Sequence, residues 1–317
     1  MRRSSGIERR LSIYGYLFVI PFLLTYAAFQ FWPTLYTIIL SFSDLKGLRS
    51  DFMLIGLENY KKLIADKYFW EAIQNTAIVW FFNFVPQLGI ALLFALWFTD
   101  DTLRIKYKGV FRTIFYLPNL LSAASVAMLY RSLFGYPIGP VNAVLTKLGF
   151  WATRIGENGE VIHEAFNFFR SVPMTRAIVS YIQWWLWTGQ TLILLIAGIV
   201  GISPSIFESA MIDGANKTQR AWYITLPLLR PMMLYLLITS MIGGMQMFEI
   251  PFLLTDMRGG PDYKIRTMMV YFYNNAFQGG NNYAYGAAIS VGIFIITVIL
   301  AIIIYFMMKE RQSKVTG

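Results

Sequence analysis

Long apolar stretches separated by short polar ones dominate this chain. Six have the length, about 20 residues or more, that a helix needs to cross the roughly 30 Å hydrocarbon core of a bilayer. They cover residues 11–41, 72–98, 110–134, 176–200, 231–254 and 283–308. The first contains Pro21 and Pro33. A proline inside a helix lacks the N–H and clashes with the carbonyl four residues back, so a kink or break is expected there. The pattern predicts an all-α integral membrane fold of about six transmembrane helices, with 1–317 a single transmembrane domain.

Composition supports this and excludes a soluble enzyme of two domains. Apolar residues make up 56% of the chain and charged residues 14%, about half the charge of an ordinary soluble domain. No cysteine is present, which excludes disulfides, thiolate metal sites and cysteine nucleophiles. The net charge of +10 does not point to nucleic acid, because the bases flank the apolar segments, where they hold loops against an anionic membrane face. The opening Met1-Arg2-Arg3 and Arg9-Arg10 resemble the basic region of a signal peptide. The apolar run after them is too long and lacks a small-residue cleavage site, so it reads as an uncleaved first helix.

About half of the 27 basic residues fall in the first ten residues, Asp100 to about Arg112, Gly201 to Arg230 and the tail from Lys309, in much less chain than the remaining loops occupy. By the positive-inside rule these segments face the cytoplasm, with both termini. The outer loops are then Asp44 to Glu71, Gly135 to about Thr175 and Met257 to Asn282. The middle one, with Glu157, Glu160, His163 and Glu164, is expected to form a small amphipathic cap. The single His163 beside these acids reads as a solvated face rather than a metal site.

The loop 201–230 is the most informative. Ser205 stands three residues before Glu208, the spacing of a capping box that opens a helix. Ile206, Phe207, Ala210 and Met211 share one helical face, Gly214 permits a turn, a second short helix should run to about Ile224, and Pro227 should end it. Such a bent pair on the inner face has an apolar wedge flanked by Glu208 and Asp213. On these residues alone, two readings stand: an element that docks into a groove on a cytoplasmic partner, or helices lying on lipid.

The stretch 204–227 resembles the EAA loop of ABC importer permeases, which runs Glu-Ala-Ala, then Gly three residues on, then a segment ending Leu-Pro. The matching residues are Glu208-Ser209-Ala210, Asp213-Gly214-Ala215 and Ile224-Thr225-Leu226-Pro227. Ser209 in place of the central Ala is the one departure. Further matches are similar to the maltose-type carbohydrate permeases: Gly56-Leu57-Glu58-Asn59-Tyr60, Asn75-Thr76, Phe111-Arg112-Thr113, Tyr116-Leu117-Pro118, Gly259-Gly260-Pro261 and Tyr285-Gly286-Ala287-Ala288. The large outer insertion that some maltose permeases carry between the third and fourth helices of this core is absent. The resemblance implies the type I ABC importer permease fold, in a bacterial or archaeal cell (inner) membrane. It also implies a second permease subunit, an ATPase dimer that binds ATP and Mg, and an extracellular or periplasmic sugar-binding protein. Glu208, Ala210, Met211, Asp213, Gly214 and Ala215 would then couple to the ATPase, with Glu208 paired to a base there. The chain has no Gly-x-x-x-x-Gly-Lys-Ser/Thr pattern, so no cofactor is expected on it and the ATP belongs to the partner.

Polar groups within the spans are candidates for lining a path, because hydrocarbon penalises them. The fourth segment carries Gln183, Trp184, Trp185, Trp187 and Gln190; the fifth, Ser240, Gln246 and Glu249; the third, Asn119. Amides offer directional hydrogen bonds to hydroxyls, and indole faces cover the C–H face of a sugar. Helix–helix hydrogen bonding and interfacial placement of Trp are the alternatives. Carried over from the family, the cargo positions are Asn119, Gln183, Trp187, Ser240, Gly244 and Met247; Trp187 and Met247 depart from the maltose pattern. Arg131 is expected to snorkel outward. A glycerol-phosphate or polyol cargo, or an ion-coupled secondary transporter, are the rival readings.

Overall fold

The computed structural model describes residues 4–47, 51–100, 103, 105–155, 160–278 and 281–313. Met1-Arg2-Arg3 and Glu157, both singled out above, lie outside the described residues. The chain divides into two compact units, Met1–Asp66 with Phe272–Phe294 and Lys67–Tyr271 with Ile295–Gly317.

Among the described residues, five helical stretches have the length and apolarity to cross a membrane: Tyr16–Ser41, Lys67–Thr99, Val172–Val200, Arg230–Leu254 and Tyr283–Met308. A sixth, the third in chain order, consists of Lys108–Leu120 and Ala123–Leu133 at 90° to one another. The straight helix expected over 110–134 is therefore corrected to two legs. The chain tightens into a 3-10 turn at Leu117–Leu120 around Pro118, and Leu121 is extended. Pro118 can enter only the first turn of a new helix.

The first span behaves differently from expectation. Helical backbone continues from Ser4 to Ser41 through Pro21, with a π-helical turn at Ala27–Phe31 just ahead of Pro33. The wider turn makes room for the proline ring without a break. Thr34 donates to the Gln30 carbonyl at 2.7 Å inside that turn, supplying a hydrogen bond where the ladder is irregular.

Within its unit, the far end of this span is tied down by the Gly56–Tyr60 segment. Buried Asn59 donates to the Ser41 and Ser43 carbonyls at 3.0 and 2.8 Å, and Tyr60 meets the Ser41 hydroxyl at 2.5 Å. Asn282 caps the start of the last helix, Tyr283–Ser313, by accepting from Tyr285 N–H. Tyr285 in turn donates to Asp66 at 2.9 Å and lies beneath Lys62.

In the other unit the second and fourth spans pack along their lengths. At one end Asn75 joins them to the loop that follows the fifth span. It donates to the Tyr263 and Arg266 carbonyls and accepts from Arg176 at 2.8 Å. The loop between the third and fourth spans holds the helix Pro140–Lys147 and a two-stranded antiparallel hairpin, Ala152–Ile155 with Val161–Glu164. The hairpin is an addition to the all-α expectation. Asn142 seats this loop through three hydrogen bonds to Gly135 and Phe166. Thr153 faces His163 in the hairpin, and no group of three His, Cys, Asp or Glu positioned for a metal occurs among the described residues. Arg131 pairs with Asp256, which is largely exposed, and donates to the Leu253 carbonyl at 2.8 Å.

Candidate functional site

Four spans of the second unit line an open cavity of about 410 Å³, the third through Ala123 alone, within the range of ordinary small-molecule sites. The second span contributes Trp80, Asn83 and Gln87; the fourth, Gln183, Trp187, Gln190 and Thr191; the fifth, Tyr235, Thr239, Ser240 and the run from Gln246 to Glu249. The cavity sits between the bulk of two apolar clusters. One includes Val79, Ile178, Ile182, Ile250 and Leu254; the other includes Ala91, Ala95, Leu195, Ile196 and Leu229. The polar wall is thus near the middle of each span, where polar groups are most costly.

The fifth span is interrupted at the wall. Arg230–Met245 and Glu249–Leu254 are helical, while Gln246, Met247 and Phe248 are not. Non-helical backbone at this depth is tolerated where it lines a cavity rather than facing lipid. The single helix expected over 231–254 is corrected accordingly. Gly243-Gly244 immediately before the break, and Pro251 after it, are its sequence trace.

Side-chain geometry gives the wall a defined chemistry. Trp187 donates from its indole nitrogen to Gln183 Oε1 at 3.2 Å, one helical turn away, which leaves the Gln183 NH₂ available to the cavity. Trp80 donates to Ser240 Oγ at 3.2 Å and stacks on Phe84. Gly244 makes room for that indole: a Cβ there would come within 2.3 Å of Trp80 Cδ1. Gln87, buried, donates to Thr191 Oγ1 at 2.6 Å. Gln246 and Glu249 are exposed.

Seven of the eight residues proposed for the path, Gln183, Trp187, Ser240, Gly244, Gln246, Met247 and Glu249, line this cavity. Two of these seven serve packing as well. Gly244 abuts Trp80, and Met247 is only 5% exposed, within an apolar cluster. Asn119 stands apart and donates to the Leu186 carbonyl at 3.3 Å, a helix–helix bond. Trp80, Asn83 and Gln87 were missed. Their signal was present, since an aromatic and two amides recur at helical spacing inside an otherwise apolar run.

The loop 201–230 forms a bent helical pair. Its first helix is Pro204–Ile212. Ser203, not Ser205, is the N-cap, and no capping bond from Ser205 forms; Ser203 and Ser205 bond to each other through their hydroxyls at 2.8 Å. The predicted Ser205–Glu208 capping box is thus corrected. Pro204 occupies the first helical position and starts the helix instead. The turn follows the glycine C-cap pattern in full: Gly214 has φ +81°, its N–H reaches the Met211 carbonyl at 3.1 Å, and Ala215 N–H reaches Ala210 at 2.9 Å.

The capping box lies in the second helix, where Asn216 and Gln219 exchange two bonds of 2.8 Å. Pro227 does not end this helix as expected. A π turn at Ala221–Thr225 and the helical residues Leu226–Leu228 carry it toward the fifth span, with Pro227 early in a new turn. Leu229, 1% exposed, anchors the exit in the second apolar cluster, and Lys217 pairs with Asp100 at 3.2 Å.

Glu208, Met211, Asp213 and Gly214 are exposed on this pair, while Ala210 and Ala215 are half-buried. Ile212, Trp222 and Tyr223 are exposed as well, at 87%, 65% and 79%. These last three lie on the same bent pair and were not singled out from sequence.

Fold and site define a multi-pass helical membrane protein with a polar, aromatic cavity at mid-span and an exposed helical pair between its fourth and fifth spans. The chain belongs to the family of permease subunits of sugar ABC transport systems. It is 30% identical over 308 residues to the lactose transport system permease protein LacF of Rhizobium radiobacter, covering 97% of this chain and 98% of that one. It is 28% identical over 289 residues to the arabinooligosaccharides transport system permease protein AraP of Bacillus subtilis, covering 91% and 86%. Two solved structures share the fold. A bacterial alginate ABC transporter, in complex with an alginate pentasaccharide-bound periplasmic protein, has a chain that superposes with a TM-score of 0.75 at 22% identity over 97% of each chain. A bacterial ABC transporter involved in import of the acidic polysaccharide alginate gives 0.72 at 22% identity, covering 98% and 99%. No family model matches the chain.

Proposed function

We propose that this chain carries a sugar or oligosaccharide through the mid-span cavity, and that the 204–227 loop receives the driving motion from a partner ATPase. The observation that carries the first half is the wall itself. Indoles and amides converge at mid-span on a broken helix, an arrangement that costs stability in lipid and that fits the hydroxyl and C–H faces of a saccharide. The docking half is supported by the exposed apolar residues Met211, Ile212 and Tyr223 and by exposed Glu208, all on the bent pair.

In this reading the loop and both termini are cytoplasmic, in keeping with the distribution of Lys and Arg. ATP and Mg are held by an ATPase dimer, a second permease subunit completes the path, and an extracellular or periplasmic sugar-binding protein delivers the cargo. A loop fixed at one end by Leu229 and braced by Lys217–Asp100 can pass displacement into the second and fifth spans. Such a device is a two-state element that a partner biases.

The test is uptake into right-side-out membrane vesicles. Labelled sugar should accumulate only with ATP inside and the binding protein outside. Accumulation driven by a proton or sodium gradient alone would show a secondary transporter instead.

A further inference from the structure

The charge of the cavity wall is one-sided. Its lining contains one carboxylate, Glu249, and no Lys, Arg or His. Glu249 is exposed and forms no ion pair among the described residues. Arg131 and Arg176, two cations on spans that line the cavity, are engaged elsewhere. The helix Glu249–Leu254 packs against Ala123–Leu133, whose one cation, Arg131, is taken by Asp256 and the Leu253 carbonyl. On the fourth span Arg176 bonds to Asn75 and the Lys264 carbonyl.

We infer that Glu249 is a specificity-determining residue: it selects uncharged saccharides and rejects those bearing carboxylate, sulfonate or phosphate. This rests on the reading of the cavity as the sugar path. An ionised carboxylate accepts hydrogen bonds from adjacent hydroxyls of a neutral sugar, and charge-assisted bonds of that kind are strong. An anionic cargo at the same place meets like charge within a few ångströms, closer than the screening length of physiological salt, and finds no cation in the lining to pair with. The filter separates neutral cargo from acidic polysaccharide and excludes the glycerol-phosphate alternative.

The transporter complex, purified through this chain into lipid nanodiscs without binding protein, can be titrated by calorimetry with lactose and with digalacturonate. Lactose should bind at least about tenfold more tightly, the like-charge penalty of an anion held against Glu249. Glu249→Gln should weaken lactose by a few-fold, strengthen digalacturonate, and bring the ratio below about threefold; Glu249→Arg should invert it. Equal binding of both probes to the wild type, or an unchanged ratio in both variants, overturns the filter and leaves the sugar path standing. Failure of both probes to bind all three proteins overturns the sugar path and the filter with it.

Discussion

The indole nitrogen of Trp80 donates to the hydroxyl of Ser240 at 3.2 Å, joining the second span to the fifth across the cavity wall. The contact depends on Gly244, whose bare Cα leaves room for the same indole. Gly244→Ala should therefore overpack the wall and lower stability by about 1–3 kcal/mol. Thermal unfolding in detergent measures it. Trp80→Leu combined with Gly244→Ala should recover most of the loss, because the flexible smaller side chain can yield.

Asn119 and Gln183 separate glue from path. Asn119 lies off the cavity and donates to a backbone carbonyl at 3.3 Å, so Asn119→Ala should cost about 0.6 kcal/mol of stability, a typical intramembrane hydrogen bond, with uptake kinetics unchanged. Gln183→Ala should leave stability nearly intact and raise the KM for sugar uptake, since its amide orients Trp187. The opposite pattern, with uptake lost in the first and kept in the second, would exchange their roles.

Lys217 and Asp100 form a half-exposed pair, with side chains 54% and 20% accessible. Pairs of this kind are worth about 0–1 kcal/mol. A double-mutant cycle with Lys217→Ala and Asp100→Asn should return a coupling energy within that range. A much larger value would mean that the loop is clamped to the second span rather than braced against it.

Glu208→Lys should leave the complex intact on co-purification yet abolish sugar-stimulated ATP hydrolysis. The residue is exposed on the first helix of the bent pair, so its change touches docking and not the fold. Normal stimulation in that variant would remove Glu208 from the coupling role.

Long apolar runs made the spans legible, because the bilayer demands a minimum length of uninterrupted hydrophobicity. Their interruptions were not. The right-angle bend after Pro118 and the break at Gln246–Phe248 cost only a few residues of irregular backbone, and hydropathy averaged over a span passes through them unchanged. Pro33 misled in the other direction, since one π turn absorbs it. At the site, polar residues on the fourth and fifth spans stood out singly, whereas Asn83 and Gln87 gain meaning only when the second span is packed beside the fourth. Glu208 to Ala215 was readable as a bent pair, while the capping box of its second helix, at Asn216–Gln219, went unremarked. In the first helix Pro204 sets the start one residue ahead of Ser205, so Ser203 is the N-cap.

Because the chain has no cysteine, a single Met211→Cys provides an unambiguous crosslinking handle on the loop's exposed face. In the assembled transporter, a reagent with one thiol-reactive and one amine-reactive arm joined by a disulfide should link position 211 to a lysine of the ATP-hydrolysing subunit and stop uptake, and reductive cleavage of the link should restore it. Labelling of that cysteine in intact cells by an impermeant reagent, or linkage only to lipid-facing or extracellular neighbours, would contradict the account.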